Sequence, residues 1–193
     1  MEVFSTVNLN LTEEDCRVTT GIRIDQVVAF RLPTAAEELR RQVVDRIVDR
    51  MVDLVGAEGR LRTGVAPALD ELSNLGVPCG LATSSNYRLL YATLESLGLE
   101  RFFRMVHSAE EEEHGKPHPA VYLSAAQKLG FSPFECLAVE DSLNGLVSAK
   151  AARMQVVVTP EEGTEDDPRF TLAELCVPRL ELAIPSIQKG FRQ

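Results

Sequence analysis

The stretch 136–154 constrains this chain more than any other. Cys136-Leu137-Ala138-Val139 is a short apolar run that ends abruptly in Glu140-Asp141-Ser142, after which Leu143, Leu146, Val147 and Ala149 to Ala151 return at helical spacing. The pattern predicts a strand, an acidic turn and a helix. In an open parallel sheet, ligands bind in the crevice at the carboxyl ends of the strands, so two neighbouring carboxylates at such an end stand where function is found. Neighbouring acids repel, and ionising both where water is scarce needs a cation. Carboxylate oxygens beside phosphate chemistry suit Mg2+. The alternative is that Asp141 or Ser142 only caps the helix, and within this stretch both readings stand.

The flanking sequence predicts what kind of sheet the strand joins. Apolar strands over 77–82, 105–107 and 156–159 alternate with helical patterns over 66–75, 87–97 and 120–129, each helix stopping at a glycine (Gly76, Gly98, Gly130). Parallel βαβ units with helices on both faces follow. The helix over 87–97 is expected to bury Leu90, Tyr91, Leu94 and Leu97. Residues 172–184 are expected to close the fold with a strand and a turn.

The first third reads as helical. Thr12-Glu13-Glu14-Asp15 has the form of a helix cap, and Pro33-Thr34-Ala35-Ala36-Glu37 that of a capping box. Behind the second, Leu39, Val43, Ile47, Met51, Leu54 and Val55 give one apolar face. Residues 1–11 alternate weakly and suit a strand or a helix tail. Gly56, Gly59 and Gly64 interrupt the helical pattern, so a boundary is expected near Arg60, with a helical unit over 1–59 and an α/β unit over 60–193.

Composition narrows the partners. A formal net charge of −9 does not supply the basic surface that nucleic acid needs. No apolar run is long enough for a bilayer, and no basic leader precedes one, so neither membrane anchoring nor secretion is expected. Cys16, Cys79, Cys136 and Cys176 are scattered without a C-x-x-C pair, as buried free thiols of a reducing cytoplasm would be.

Three strand ends carry chemistry. The first delivers Thr83-Ser84-Ser85-Asn86 to a helix N-terminus, a cradle for an anion or simply a cap with solvated neighbours. The second is followed by Glu110 to Glu113 and then Gly115-Lys116-Pro117-His118-Pro119. A lysine on so stiff a loop can neutralise a phosphate or a carboxylate, although an isolated lysine is usually solvated. The acid run reads as a solvated face, and His118 as loop packing, since the three histidines lack a zinc spacing. The third end is Glu140-Asp141.

In this order, a hydroxyl after a strand, Lys-Pro after an intervening helix and an acid pair before Ser-x-x-Gly resemble motifs of the haloacid dehalogenase superfamily. Gly80-Leu81-Ala82-Thr83-Ser84-Ser85, Lys116-Pro117-His118-Pro119-Ala120-Val121-Tyr122, Glu140-Asp141-Ser142-Leu143-Asn144-Gly145 and Thr20-Gly21-Ile22-Arg23-Ile24-Asp25 carry the likeness. Within the superfamily the chain looks like the β-phosphoglucomutase-like phosphatases, sugar-phosphate and hexitol-phosphate phosphatases among them. The resemblance implies a Rossmann-like parallel sheet with a small helical cap and a Mg2+-dependent phosphatase acting on a small phosphorylated metabolite. It makes Thr83 and Lys116 catalytic, Asp141 a metal ligand with Glu140 in support, and Ser84, Ser85, Asn86 and Arg23 candidates for binding phosphate or substrate.

The family's nucleophile lies in an Asp-x-Asp-Gly motif at the end of a first core strand, and no such motif occurs in these residues. Asp15 and Asp25 lack its context. That strand would be central, so its absence is expected to leave two unpaired edges. Three accounts are open: a start placed too far downstream, which the retained catalytic residue types favour; a decayed gene; or residues 1–11 filling the vacant slot of a non-catalytic protein.

Overall fold

The computed structural model describes residues 1–161 and 163–190. Glu162 and residues 191–193, which fall inside the expected α/β unit, lie outside the described residues. Four helices come first: α1 (Glu2–Ser5), α2 (Glu13–Arg17), α3 (Ile24–Arg31) and the long α4 (Glu37–Glu58). Then follow α5 (Val65–Asn74), β1 (Cys79–Thr83), α6 (Tyr87–Leu97), β2 (Phe103–Ser108), α7 (Ala120–Leu129), β3 (Leu137–Glu140), α8 (Leu143–Ala151), β4 (Gln155–Val158), β5 (Leu175–Cys176) and α9 (Ile184–Lys189). No described helix is long and apolar enough to cross a membrane.

All described strand pairing is parallel. β1 pairs with β2 from Cys79 opposite Phe103 to Thr83 opposite Ser108, and β3 pairs with β4, which pairs with β5. Side chains alternate across β4: Val156 and Val158 join the cluster under α7 and α8, while Val157 turns to the cluster under α5 and α9. The helices thus cover both faces, as the alternation of elements predicts.

The sheet is divided. β1–β2 and β3–β4–β5 form separate ladders, with no strand among the described residues joining β1 to β3. The halves are held by side chains: Ala82 of β1 packs into the cluster that contains Ala138 of β3, Val121, Ala126 and Leu146. Val139, in the middle of β3, is 42% exposed although its neighbours Ala138 and Glu140 are buried. An apolar strand residue left open on this edge is what an unfilled central position produces.

Residues 1–11 do not fill that position. They form α1 and a turn in the helical layer, where Phe4 is buried against Val27, Val28 and Val43, with Val3, Val7, Leu9 and Leu11 packed around them. The Thr12 cap forms, its hydroxyl accepting from Asp15 N and the Asp15 carboxylate accepting from Thr12 N at 2.9 Å. The expected Thr34 box does not: α4 starts after Ala36 without a side-chain cap. Only part of the apolar face of α4 is covered, since Val43 and Val48 are buried while Leu39, Met51 and Leu54 remain exposed. α6 ends at Gly98, whose φ of +65° is the left-handed stop the sequence predicts. Its core face is Leu89, Leu90 and Leu94, and Tyr91 instead stacks on Tyr87 outside. The four cysteines are free as expected, yet none is buried.

Candidate active site

The parallel strands bring their carboxyl ends, and the loops that follow them, to one side of each ladder. β1 ends in Thr83, whose hydroxyl accepts from Ser85 N at 3.1 Å and closes the turn into α6. Asn86 caps α6, its amide oxygen accepting from Leu89 N at 3.0 Å. Ser84 Oγ donates to the Gly21 carbonyl at 2.7 Å, and Ser85 offers its carbonyl to Ser108 Oγ. Of the four candidates at this end, then, Ser84 binds the helical layer and Asn86 does a cap's work.

The loop after β2 carries Lys116 into the interior. Its side chain is 7% exposed, with Nζ 2.5 Å from Glu140 Oε1 and over the ring of Tyr122 at 4.9 Å. The Tyr122 hydroxyl donates to the same oxygen of Glu140. Ser142 Oγ donates to the other carboxylate oxygen at 3.3 Å and accepts from Gly145 N, capping α8. Lys116 is therefore a buried, paired cation and not a solvated one. Burial, and after it the charge of Glu140, hold the Tyr122 hydroxyl well above the usual tyrosine range, so it stays a donor.

Asp141 differs from its neighbour. Glu140 is buried and taken up by three donors, whereas the Asp141 carboxylate has no hydrogen-bond partner among the described residues. Burial first, then the charges of Glu140 and Glu161, raise its carboxyl above the ordinary value, while Lys116 and Arg62 pull the other way. A carboxylate that is costly to ionise and has no donor suits a cation. Asp141 fits that part. Glu140, with its oxygens occupied, fits it less well than the sequence suggests, and no group of three or more His, Cys, Asp or Glu among the described residues is arranged to hold a metal.

The helical layer meets this site through the loop between α2 and α3. Asn144 Nδ2 donates to Thr20 O at 2.8 Å, beside the Ser84 bond to Gly21. Gly21 has a φ of +82°, and a Cβ there would stand 2.5 Å from Ser142 Oγ. Arg23 is fixed rather than free: its guanidinium pairs with Asp25 and donates to the carbonyls of Ala109 at 2.9 Å and Glu112 at 2.6 Å. It fastens the two layers together.

Glu110, Glu111 and Glu113 are exposed, as a solvated acid run would be, yet the run also takes partners. Glu110 accepts from Tyr87 N, Glu111 pairs with Lys128 at 2.9 Å, and Glu112 sits 2.6 Å from the buried His107. His118 packs the loop as expected, its ring accepting from Ala120 N and its carbonyl from Ser148 Oγ. Tyr122, Asn144 and Arg62, which donates to the carbonyls of Thr159 and Pro160, are site neighbours to which sequence reasoning gave no role. Only Tyr122 carried a signal, standing two residues into α7 and six after Lys116.

Comparisons with known proteins bear on the family and the fold. Residues 15–153 match the family model of haloacid dehalogenase-like hydrolases. Hexitol phosphatase B of Escherichia coli strain K12 is 40% identical over 160 residues, covering 81% of this chain and 72% of that protein. Among solved structures, CbbY from Rhodobacter sphaeroides in complex with phosphate superposes with a TM-score of 0.81 at 24% identity, over 94% of this chain and 85% of its own. β-Phosphoglucomutase from Clostridium difficile gives 0.83 at 19% identity, over 97% and 85%.

Proposed function

The chain belongs to the haloacid dehalogenase-like hydrolases, and on that premise we propose a Mg2+-dependent phosphatase of small phosphorylated metabolites, sugar or polyol phosphates foremost. The observation that carries this reading is the contrast at the end of β3: a lysine and a carboxylate bound to each other, beside a second carboxylate without a donor. Phosphoryl transfer asks chiefly for positioning and charge neutralisation. In this reading the Thr83 hydroxyl binds a phosphoryl oxygen, the Lys116 ammonium neutralises another, and Asp141 holds Mg2+. When bound, the metal supplies further charge neutralisation at the phosphoryl group. Ser85 stands beside the Thr83 hydroxyl before α6, while Ser84, Asn144 and Arg23 keep the helical layer closed over them and exclude water. The name of hexitol phosphatase B supports a polyol phosphate as substrate.

The nucleophile is an aspartate on a segment that these residues do not include, and the open edges of β1 and β3 support a strand entering between them. Its carboxylate attacks phosphorus, the ester P–O bond breaks and the alkoxide leaves as the alcohol with a proton from solvent; water then hydrolyses the acyl phosphate, releasing inorganic phosphate and restoring the carboxylate. The absence of Asp-x-Asp-Gly from the sequence favours a second reading, a non-catalytic binder of phosphate ligands.

Phosphate release from p-nitrophenyl phosphate and from hexitol phosphates, by protein isolated from its native source and by the 193-residue chain, separates the two readings. The enzyme reading expects release that chelation of Mg2+ abolishes and that Asp141→Asn or Lys116→Met lowers by about a hundredfold or more. No release by either preparation, together with saturable binding of inorganic phosphate, overturns it in favour of the binder.

A further inference from the structure

We propose that Tyr122 is a positioning residue for Lys116, its hydroxyl fixing the ammonium and the Glu140 carboxylate in one arrangement so that a single donor of Lys116 remains for the phosphoryl group. The inference rests on the reading of Lys116 as the cation that meets phosphate.

A lysine amine sits on four rotatable carbons and gains direction only from what holds it. Here three contacts do so. Nζ donates to Glu140 Oε1 at 2.5 Å, lies 3.4 Å from the Tyr122 hydroxyl oxygen, and stands 4.9 Å from the centre of the Tyr122 ring. The hydroxyl donates to the same Glu140 oxygen, so amine, hydroxyl and carboxylate close a triangle. The other Glu140 oxygen accepts from Ser142 Oγ, which prevents the carboxylate from turning over. An ammonium has three donors; with one given to Glu140 and one to Tyr122, the third is the only one left to a substrate. Tyr122 is itself immobile, 7% exposed and packed among Val121, Ala126, Ala138 and Leu146. Its ring serves the core, but a phenylalanine would serve the core as well. The hydroxyl is what the triangle needs.

Tyr122→Phe keeps the ring and removes one atom. Lysine acylation by dilute acetic anhydride, read by mass spectrometry, reports on Lys116 without any need for turnover, with Lys128 and Lys150 as internal references. Loss of the hydroxyl is expected to raise acylation of Lys116 alone by about five- to tenfold, and in the active protein to lower kcat by about tenfold. KM stays within about twofold, because substrate can still bind to the rest of the cradle. Unchanged Lys116 acylation overturns the proposal. So does a rise shared by all three lysines with a fall in Tm, which assigns Tyr122 to packing only. If the wild-type protein releases no phosphate from any ester, the phosphatase reading fails on that result, and the acylation ratio still judges Tyr122.

Discussion

Gly145→Ala tests how firmly Glu140 is held. Gly145 is in the first turn of α8, and a Cβ there would lie 1.9 Å from Glu140 Oε2 and 2.0 Å from its Cδ. Ordinary contact needs about 3.5 Å, so the carboxylate has to retreat by roughly 1.5 Å. It has nowhere to go without leaving Lys116, Tyr122 or Ser142. Separating a buried ion pair costs about 3–5 kcal/mol, while replacing glycine by alanine within a helix returns at most about 1 kcal/mol. The net loss is about 2–4 kcal/mol, a fall in Tm of roughly 5–15 °C for a chain of this size. Gly56→Ala is the matched control: Gly56 is inside α4 with nothing within 4 Å of its added Cβ, so the same substitution should raise Tm. Urea and thermal unfolding followed by circular dichroism read both variants. If both stabilise, Glu140 is free to swing aside and the account of a pinned carboxylate is wrong.

Three further outcomes follow from the same structure. Asp141→Asn should unfold at a higher temperature than wild type, because the raised carboxyl shows that its charge is costly in the fold; Mg2+ should raise the Tm of wild type and leave the variant unmoved, and a destabilised variant refutes the argument. Gly21→Ala should cost about 1–2 kcal/mol for its left-handed backbone alone, and contact with Ser142 should lift the loop, so hydrogen exchange at Ile22 should quicken while β4 is unchanged. Asp167 is held at about 2, below its ordinary 3.8, by hydrogen bonds from the Arg169 side chain and backbone. A depressed carboxyl stabilises the fold in full above its ordinary value and loses that contribution as pH falls to the folded one. Between about pH 4 and about pH 2, wild type should therefore lose more Tm than Asp167→Asn, and parallel curves would exclude the effect.

Period and punctuation made much of this fold legible in the sequence. The β3 turn, the glycine stop at Gly98 and the helix after Pro119 appear where spacing and caps put them, because local sequence decides them. The motif order likewise singled out Lys116 and Glu140, which the structure brings within 2.5 Å of each other. What a local reading does not show depends on partners far along the chain. The guanidinium of Arg23 meets the carbonyls of Ala109 and Glu112, 86 and 89 residues away. Glu110, Glu111 and Glu112 take partners, Tyr87, Lys128 and His107, that are invisible to a local window. Thr34 failed as a cap for a different reason: the chain reaches α4 through an extended Ala36, two residues too late for its hydroxyl.

The loop between α2 and α3 is fastened to the α/β layer by main-chain oxygens. Ser84 and Asn144 reach up to the carbonyls of Gly21 and Thr20, and Arg23 reaches down to those of Ala109 and Glu112. A carbonyl is present whatever side chain its residue carries. Apart from Gly21, whose backbone admits little else, Ile22, which packs into the helical core, and the donor Arg23, the loop can change its side chains without loosening the closure. Thr20 can therefore vary while its carbonyl keeps the same bond to Asn144. Variation and closure are written in different atoms of the same few residues.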